Sequence, residues 1–159
     1  MSEGNLIKIR FGHLTPVLGD EIDKGELIVE EGKIKEISRN CNEPFAGTLI
    51  DLSDCLILPG FVNAHCHLSL SVLHGRVPLR EKFTDWAEAL VMWNRAVSLA
   101  ERVRYIDKGA EALIRSGVTT LADYLAQAEL LPEYQALPFR QAVFLEVLQL
   151  KSSALPETV

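Results

Sequence analysis

Leu56-Ile57-Leu58-Pro59-Gly60-Phe61-Val62-Asn63-Ala64-His65-Cys66-His67 is the stretch that decides the fold. It reads as a buried β-strand ending in two histidines spaced i, i+2. In extended backbone alternate side chains share a face, so His65 and His67 point one way and Cys66 the other. Two imidazoles side by side at a strand end are half of a metal site. The bland alternative is a pair of packed or solvated histidines that binds nothing. Chance can produce an H-x-H among four histidines, but the apolar strand and the Pro59-Gly60 lead-in are much harder to obtain by chance.

Downstream of this stretch the chain alternates strand, helix, strand, helix, strand, which argues for a parallel α/β architecture. An irregular stretch runs through Gly75 and Pro78. Asp85 followed by Glu88 has the form of a capping box and predicts a helix to about Val97. Ser98 with Glu101 repeats the signature and opens a second helix that ends near Gly117. Val118-Thr119-Thr120-Leu121-Ala122-Asp123 is a β-branched strand. A short helix over 126–136 is stopped by Pro138, a last strand runs from Phe139 to Leu148, and 151–159 is expected to fray. Upstream, residues 5–55 read as short strands, with Glu31-Gly32 forming a tight hairpin between Glu26–Glu30 and Lys33–Ile37.

Composition sets outer limits. The chain has 159 residues, 48% hydrophobic and 24% charged, which suits a globular core. Net charge is −6 and no Lys/Arg patch is present to track phosphates, so nucleic acid is not an expected partner. Cys41, Cys55 and Cys66 form no C-x-x-C pair, and such a scattered set fits a reducing compartment. Met1-Ser2-Glu3-Gly4 starts no secretory signal, and no apolar run approaches the ~18 residues of a membrane span. The sequence predicts a soluble, cytoplasmic protein with no membrane partner.

Pro59-Gly60-Phe61-Val62-Asn63-Ala64-His65-Cys66-His67-Leu68 resembles the "PGfvNaHxHl" first barrel strand of the amidohydrolase superfamily. Gly117–Asp123 is similar to its "GvTTvaD" second strand, and Phe144-Leu145-Glu146-Val147-Leu148 to the end of the third. The resemblance implies an α/β fold: the N-terminal part of a (β/α)8 TIM barrel, about three of eight strands, preceded by part of a small β-sandwich. On that basis residues 1–55 belong to the partial β-sandwich, 56–150 to the first three βα units, and 151–159 to a tail. A complete barrel takes roughly 250 residues, so the chain is expected to be an N-terminal fragment. Within the superfamily, His67-Leu68-Ser69-Leu70-Ser71 followed by Phe83-Thr84-Asp85-Trp86 is similar to the chlorohydrolase/deaminase branch. The likeness is nearest to aminodeoxyfutalosine deaminases, whose pattern is "HTHLELS" then "FxDW". Ser69 stands where that pattern has Glu.

The resemblance implies that His65 and His67 ligate one divalent metal, Zn²⁺ or Fe²⁺, both of which accept imidazole. The metal lowers the pKa of its water, and the resulting hydroxide attacks a nitrogen-bearing carbon of an aminated purine-like or other heteroaromatic small molecule. The further ligands are expected beyond residue 159, so the chain alone is expected to be inactive; a homo-oligomer of the full-length protein stays open. Other candidates are weighed against plainer readings. Trp86 and Trp93 lie i, i+7 on a helix: core packing is favoured, an aromatic lid over substrate is the alternative. His74 is read first as a solvated loop histidine and second as a substrate contact. Asp123 and Glu146 end predicted strands and could face substrate, but Asp123 could equally satisfy backbone donors in a βα turn. Two rival functions remain: a non-catalytic remnant or partner-dependent binding module, and a two-metal cyclic amidase, which needs a carboxylated lysine on a later strand.

Overall fold

The computed structural model describes residues 6–39 and 44–147, so Cys41, Leu148 and the 151–159 tail lie outside the described residues. It separates into two compact units, Met1–Pro59 and Gly60–Val159.

In the first unit, β1 (Leu6–Leu14), β2 (Ile22–Glu30), β3 (Lys33–Ser38) and β4 (Thr48–Ile57) form a four-stranded sheet in the order β3-β2-β1-β4. β2 runs antiparallel to β1 and β3, while β4 runs parallel to β1. The expected hairpin at Glu31-Gly32 is present. Both residues have positive φ, +51° and +73°, the requirement of a two-residue turn whose twist matches the strands it joins. Phe11, Leu14 and Leu27 form the core of this sheet, with Ile9, Ile22, Val29 and Ile57 packed around them. Beside them Lys8 Nζ sits 2.6 Å from Glu26 Oε2, both buried, and Arg10 Nε reaches Glu26 Oε1 at 3.2 Å. Burial opposes the charge on Glu26, but the hydrogen bonds from Lys8 and Arg10 outweigh it and hold the carboxyl below its usual value.

The deciding stretch is not one strand. Leu56 and Ile57 finish β4, and a new strand, β5, runs from Phe61 to Cys66. Pro59 has no N–H to give a ladder. Gly60 passes so close to Thr119 that a Cβ there would collide with the threonine side chain. The apolar run is continuous in sequence, but the chain leaves one sheet and enters another within it. Nor is β5 buried: Phe61 and Val62 are more than half exposed, because among the described residues β5 is an edge strand paired with β6 alone.

The second unit continues with a 3₁₀ helix over Leu68–Leu73, α1 (Phe83–Ala96), α2 (Leu99–Arg115) and β6 (Val118–Leu125). A 3₁₀ turn at Ala128–Leu130, α3 (Leu131–Gln135) and β7 (Arg140–Leu145) complete it. The sheet order is β5-β6-β7, all parallel. Its core joins Leu68, Ile106, Ala110, Leu121, Leu125 and Tyr134 on the face that α2 covers.

The Ser98/Glu101 capping box forms: Ser98 Oγ accepts the Glu101 N–H and Glu101 Oε2 accepts the Ser98 N–H, both at 3.3 Å. The Asp85/Glu88 signature does not mark a cap. α1 starts at Phe83 with Lys82 as its N-cap, so Asp85 stands inside the first turn, where its charge meets the positive end of the helix dipole. The core-packing reading of Trp86 and Trp93 is also not met, since α1 buries no residue. Trp93 is 44% exposed and Trp86 stacks obliquely on Phe83 at 5.7 Å.

Candidate metal centre

Strand alternation distributes the chemistry of β5 as the i, i+2 spacing requires. The His65 and His67 rings lie together, centroids 5.2 Å apart. Tyr124 on β6 stacks on His65 at 4.3 Å and sits 5.9 Å from His67; Phe144 on β7 stacks on Tyr124 at 5.1 Å. One sheet face therefore carries a row of rings across all three strands. Cys66 is register partner to Asp123, and Asp123 to Val143. These three belong to the opposite face, with Cys66 and Val143 packed against the core.

His67 Nδ1 is 2.8 Å from the carbonyl oxygen of Tyr124. A carbonyl only accepts, so Nδ1 carries the proton and donates, and Nε2 keeps its lone pair. This is the second-shell arrangement that orients a metal-binding imidazole. A pair of adjacent imidazoles, one fixed in the ligating tautomer, suits a divalent ion of the Zn²⁺ or Fe²⁺ kind. Among the described residues no group of three or more His, Cys, Asp or Glu could hold a metal, so the pair is a partial ligand set. Cys66 does not add to it: burial, with Asp123 nearby, pushes its thiol up to about 11, far from a ready thiolate.

The segment after His67 is held from three sides. Leu68 N–H donates to Asp123 Oδ2 at 2.7 Å, and Ser69 N–H donates to the Tyr134 hydroxyl at 3.1 Å. Arg102 Nη1 donates to the Ser69 carbonyl at 3.1 Å, and its Nη2 to the Asn94 carbonyl at 2.5 Å. Asp123, Tyr134 and Arg102 are all buried. Burial raises the Asp123 carboxyl above its usual value, partly offset by the Leu68 N–H and the Tyr134 hydroxyl. Burial likewise raises the Tyr134 hydroxyl, and lowers the Arg102 guanidinium, which still keeps its proton.

Of the two readings of Asp123, this geometry supports the one in which it satisfies backbone donors. Ser69 and Glu146 line a cavity that His67 also lines, together with Tyr124, Asn94 and Gln127. His74 is exposed and lines a different cavity, with Cys66, Tyr105 and Lys108. Trp86 lines neither. Sequence reasoning did not single out Tyr124, Asn94, Arg102, Gln127 or Tyr134. Two left a signal: Tyr124 follows from β6 parity once Asp123 is placed, and Arg102 shares the i, i+4, i+8 stripe of Ile106 and Ala110, all three buried.

The sequence profile of the amidohydrolase family matches residues 56–148. A 5-methylthioadenosine/S-adenosylhomocysteine deaminase from Pyrococcus furiosus is 37% identical over 114 residues, 67% of this chain and 26% of that protein. A 5'-deoxyadenosine deaminase from Methanobrevibacter smithii is 35% identical over 112 residues, 69% of this chain and 25% of that protein. The chain thus spans about a quarter of the length of the curated relatives it matches. Among solved structures, an adenosine deaminase from Xanthomonas campestris with bound zinc superposes with a TM-score of 0.71 at 20% identity, covering 85% of this chain and 32% of that one. An atrazine chlorohydrolase from Arthrobacter aurescens in complex with zinc and atraton gives 0.70 at 18%, over 86% and 35%. These likenesses show the fold: the α/β start of a (β/α)8 barrel with a β-rich region before it.

Proposed function

The chain belongs to the amidohydrolase family, and from that premise we propose that the protein it forms part of is a metal-dependent hydrolase of non-peptide C–N bonds. Its reaction is hydrolytic removal of ammonia from an aminated purine-like or related heteroaromatic small molecule, carried out in the cytoplasm. The observation that carries this reading is the His65/His67 pair at the C-terminal end of β5, with His67 locked by the Tyr124 carbonyl so that Nε2 is free. Catalytic residues of (β/α)8 enzymes sit at that end of the strands. The matched relatives include deaminases of adenosine-type compounds, which supports the substrate class.

His65 and His67 would hold Zn²⁺ or Fe²⁺, which when bound supplies a hydroxide at neutral pH and polarises the carbon it attacks. The residues of this chain have supporting tasks. Tyr124 fixes the His67 tautomer through its carbonyl and covers His65 with its ring. Asp123, Tyr134 and Arg102 fix the backbone that follows His67. Ser69 and Glu146 wall the cavity in which substrate would lie. We read the 159-residue chain as an N-terminal piece, inactive by itself, because the pair makes only part of a ligand set.

The test is ammonia release by the full-length protein, loaded with Zn²⁺ or Fe²⁺, from adenosine-type substrates. Activity that is lost on chelation, restored by one of the two metals, and lowered at least about a thousandfold in the His67→Ala variant is the expected result. Full activity after metal removal, or in His65→Ala and His67→Ala proteins, would overturn it.

A further inference from the structure

β5 and β6 do not pair in an even register. Phe61 faces Val118 but Val62 faces Thr120, so β6 carries one extra residue, Thr119, between the two pairs. The Thr119 side chain fills the space that a Cβ at Gly60 would need. Further along, the imbalance is reversed. Asn63 faces Leu121 and Cys66 faces Asp123, so on β5 Ala64 and His65 together stand against Ala122. The two irregularities cancel, and at Cys66 the strands are back at the offset with which they began.

The cancellation serves the histidine pair. With the offset restored, His67 follows Cys66 as Tyr124 follows Asp123, and His67 Nδ1 meets the Tyr124 carbonyl at 2.8 Å. A register one residue out would set His67 level with a neighbour of Tyr124 instead. The bulge that restores the offset contains His65 itself. Bulges bend their strand, re-aim its side chains and leave a residue out of the ladder. Among the described residues neither Ala64 nor His65 has a register partner on β6. A backbone N–H released from a ladder takes another acceptor. That of His65 donates to Asn63 Oδ1 at 3.2 Å. Asparagine suits the task, because its amide oxygen reaches the N–H two residues along its own chain. Asn63 is also the last paired residue before the bulge, so its bond spans the irregular backbone from one end. Beyond it the His65 ring lies on Tyr124, centroids 4.3 Å apart, and beside His67 at 5.2 Å.

We propose that Asn63 is a positioning residue of the metal centre: its amide oxygen holds the β5 bulge in the shape that aims the His65 imidazole at the ion shared with His67. It acts through the His65 backbone, not as a ligand. The two histidines are then fixed by different means, His67 through its ring by the Tyr124 carbonyl and His65 through its main chain by Asn63. The inference rests on the metal reading of the pair, and adds the residue that sets the aim of its first member.

The test is the Zn²⁺ affinity of the full-length protein, stripped of metal and titrated in competition with a coloured chelator. Asn63→Leu keeps the side-chain size and removes the acceptor; Asn63→Ala removes it with less bulk and stands in should the leucine protein fail to fold. Asn63→Ser keeps a neutral oxygen that can accept from the same N–H. Partners behind metal ligands are worth about 10–100-fold in affinity. The acceptor-free variant should therefore bind Zn²⁺ at least about tenfold more weakly than wild type, and Asn63→Ser within about threefold of it. Urea midpoints of the metal-free proteins are read alongside. A purely structural role would lower the midpoint and leave the affinity of the folded protein unchanged, and that result would overturn the proposal. So would an Asn63→Ser protein that binds as weakly as the acceptor-free one, because loss of the hydrogen bond would then not be the cause. A wild-type protein that takes up no Zn²⁺ would sink the metal reading as well. Wild-type uptake that the acceptor-free variant matches sinks this inference alone.

Discussion

Asp123 has no exposed surface, and its neighbours act on it in opposite senses: burial disfavours its charge, while the Leu68 N–H and the Tyr134 hydroxyl favour it. Burial wins, so the carboxyl titrates above its usual value in the folded chain. A group that binds its proton more tightly when folded contributes most stability below its unfolded pKa, about 3.9, and loses that contribution as pH rises through the folded value. Asp123→Asn keeps an oxygen for the Leu68 N–H and removes the buried charge. The wild-type chain is therefore expected to lose stability relative to Asp123→Asn as pH is raised from acid toward neutrality. Urea midpoints followed by tryptophan fluorescence would show it, since both tryptophans lie in α1 of the same unit. A constant difference between the two proteins across that range would refute the assignment. The substitution also separates the two readings of Asp123: a residue that only touches substrate would leave the urea midpoints unmoved.

Helix starts show what local sequence can and cannot specify. Ser98-x-x-Glu101 was readable because both halves of the capping box are local and the backbone at Ser98 is extended. Asp85-x-x-Glu88 looks the same in sequence and means something else, because an acidic residue is favoured both at a cap and inside the first turn; the extended backbone at Lys82 decides. Ser98→Ala is expected to destabilise the second unit by about 1 kcal/mol. A capping residue adds nothing to α1 at Asp85, so Asp85→Ala should cost less, about 0.3–1 kcal/mol at low ionic strength, and that cost should fade as salt is added. Thermal unfolding of the two variants at low and high salt checks both; equal, salt-independent losses would contradict the assignment. The i, i+2 histidines were equally legible, since β periodicity alone puts them on one face. The break at Pro59-Gly60 was hidden by the apolar residues on either side of it. Tyr134 left no sequence signal at all, because its hydroxyl meets the Ser69 N–H only in the folded chain.

At the scale of the whole molecule, among the described residues the parallel sheet ends on β5 and β7, each paired on one side. In a closed barrel neither edge would exist. Phe61 and Val62 on one edge, and Phe144, Leu145 and Val147 at the other, are exposed. Unpaired strands of this kind, largely apolar and with Arg140 at the start of β7 as the one Lys, Arg, Asp or Glu that the two strands carry, template pairing with further chain. The 159-residue chain on its own is accordingly expected to self-associate as its concentration rises and to bind a hydrophobic dye such as ANS. A lysine at the β7 edge, Leu145→Lys, should weaken the association without changing the urea midpoint of the dilute chain. Light scattering over a broad dilution series separates the cases. A chain that stays monomeric and dye-silent at high concentration would mean that the described edges are covered in solution. If the chain is part of a longer polypeptide, as proposed above, adding the remainder as a separate polypeptide offers the complementary experiment. If that remainder supplies the missing strands, it should suppress both self-association and dye binding, and it should do so in proportion to the recovery of metal affinity at His65 and His67, because pairing the edge that bears the histidines and completing their ligand set are then one structural event.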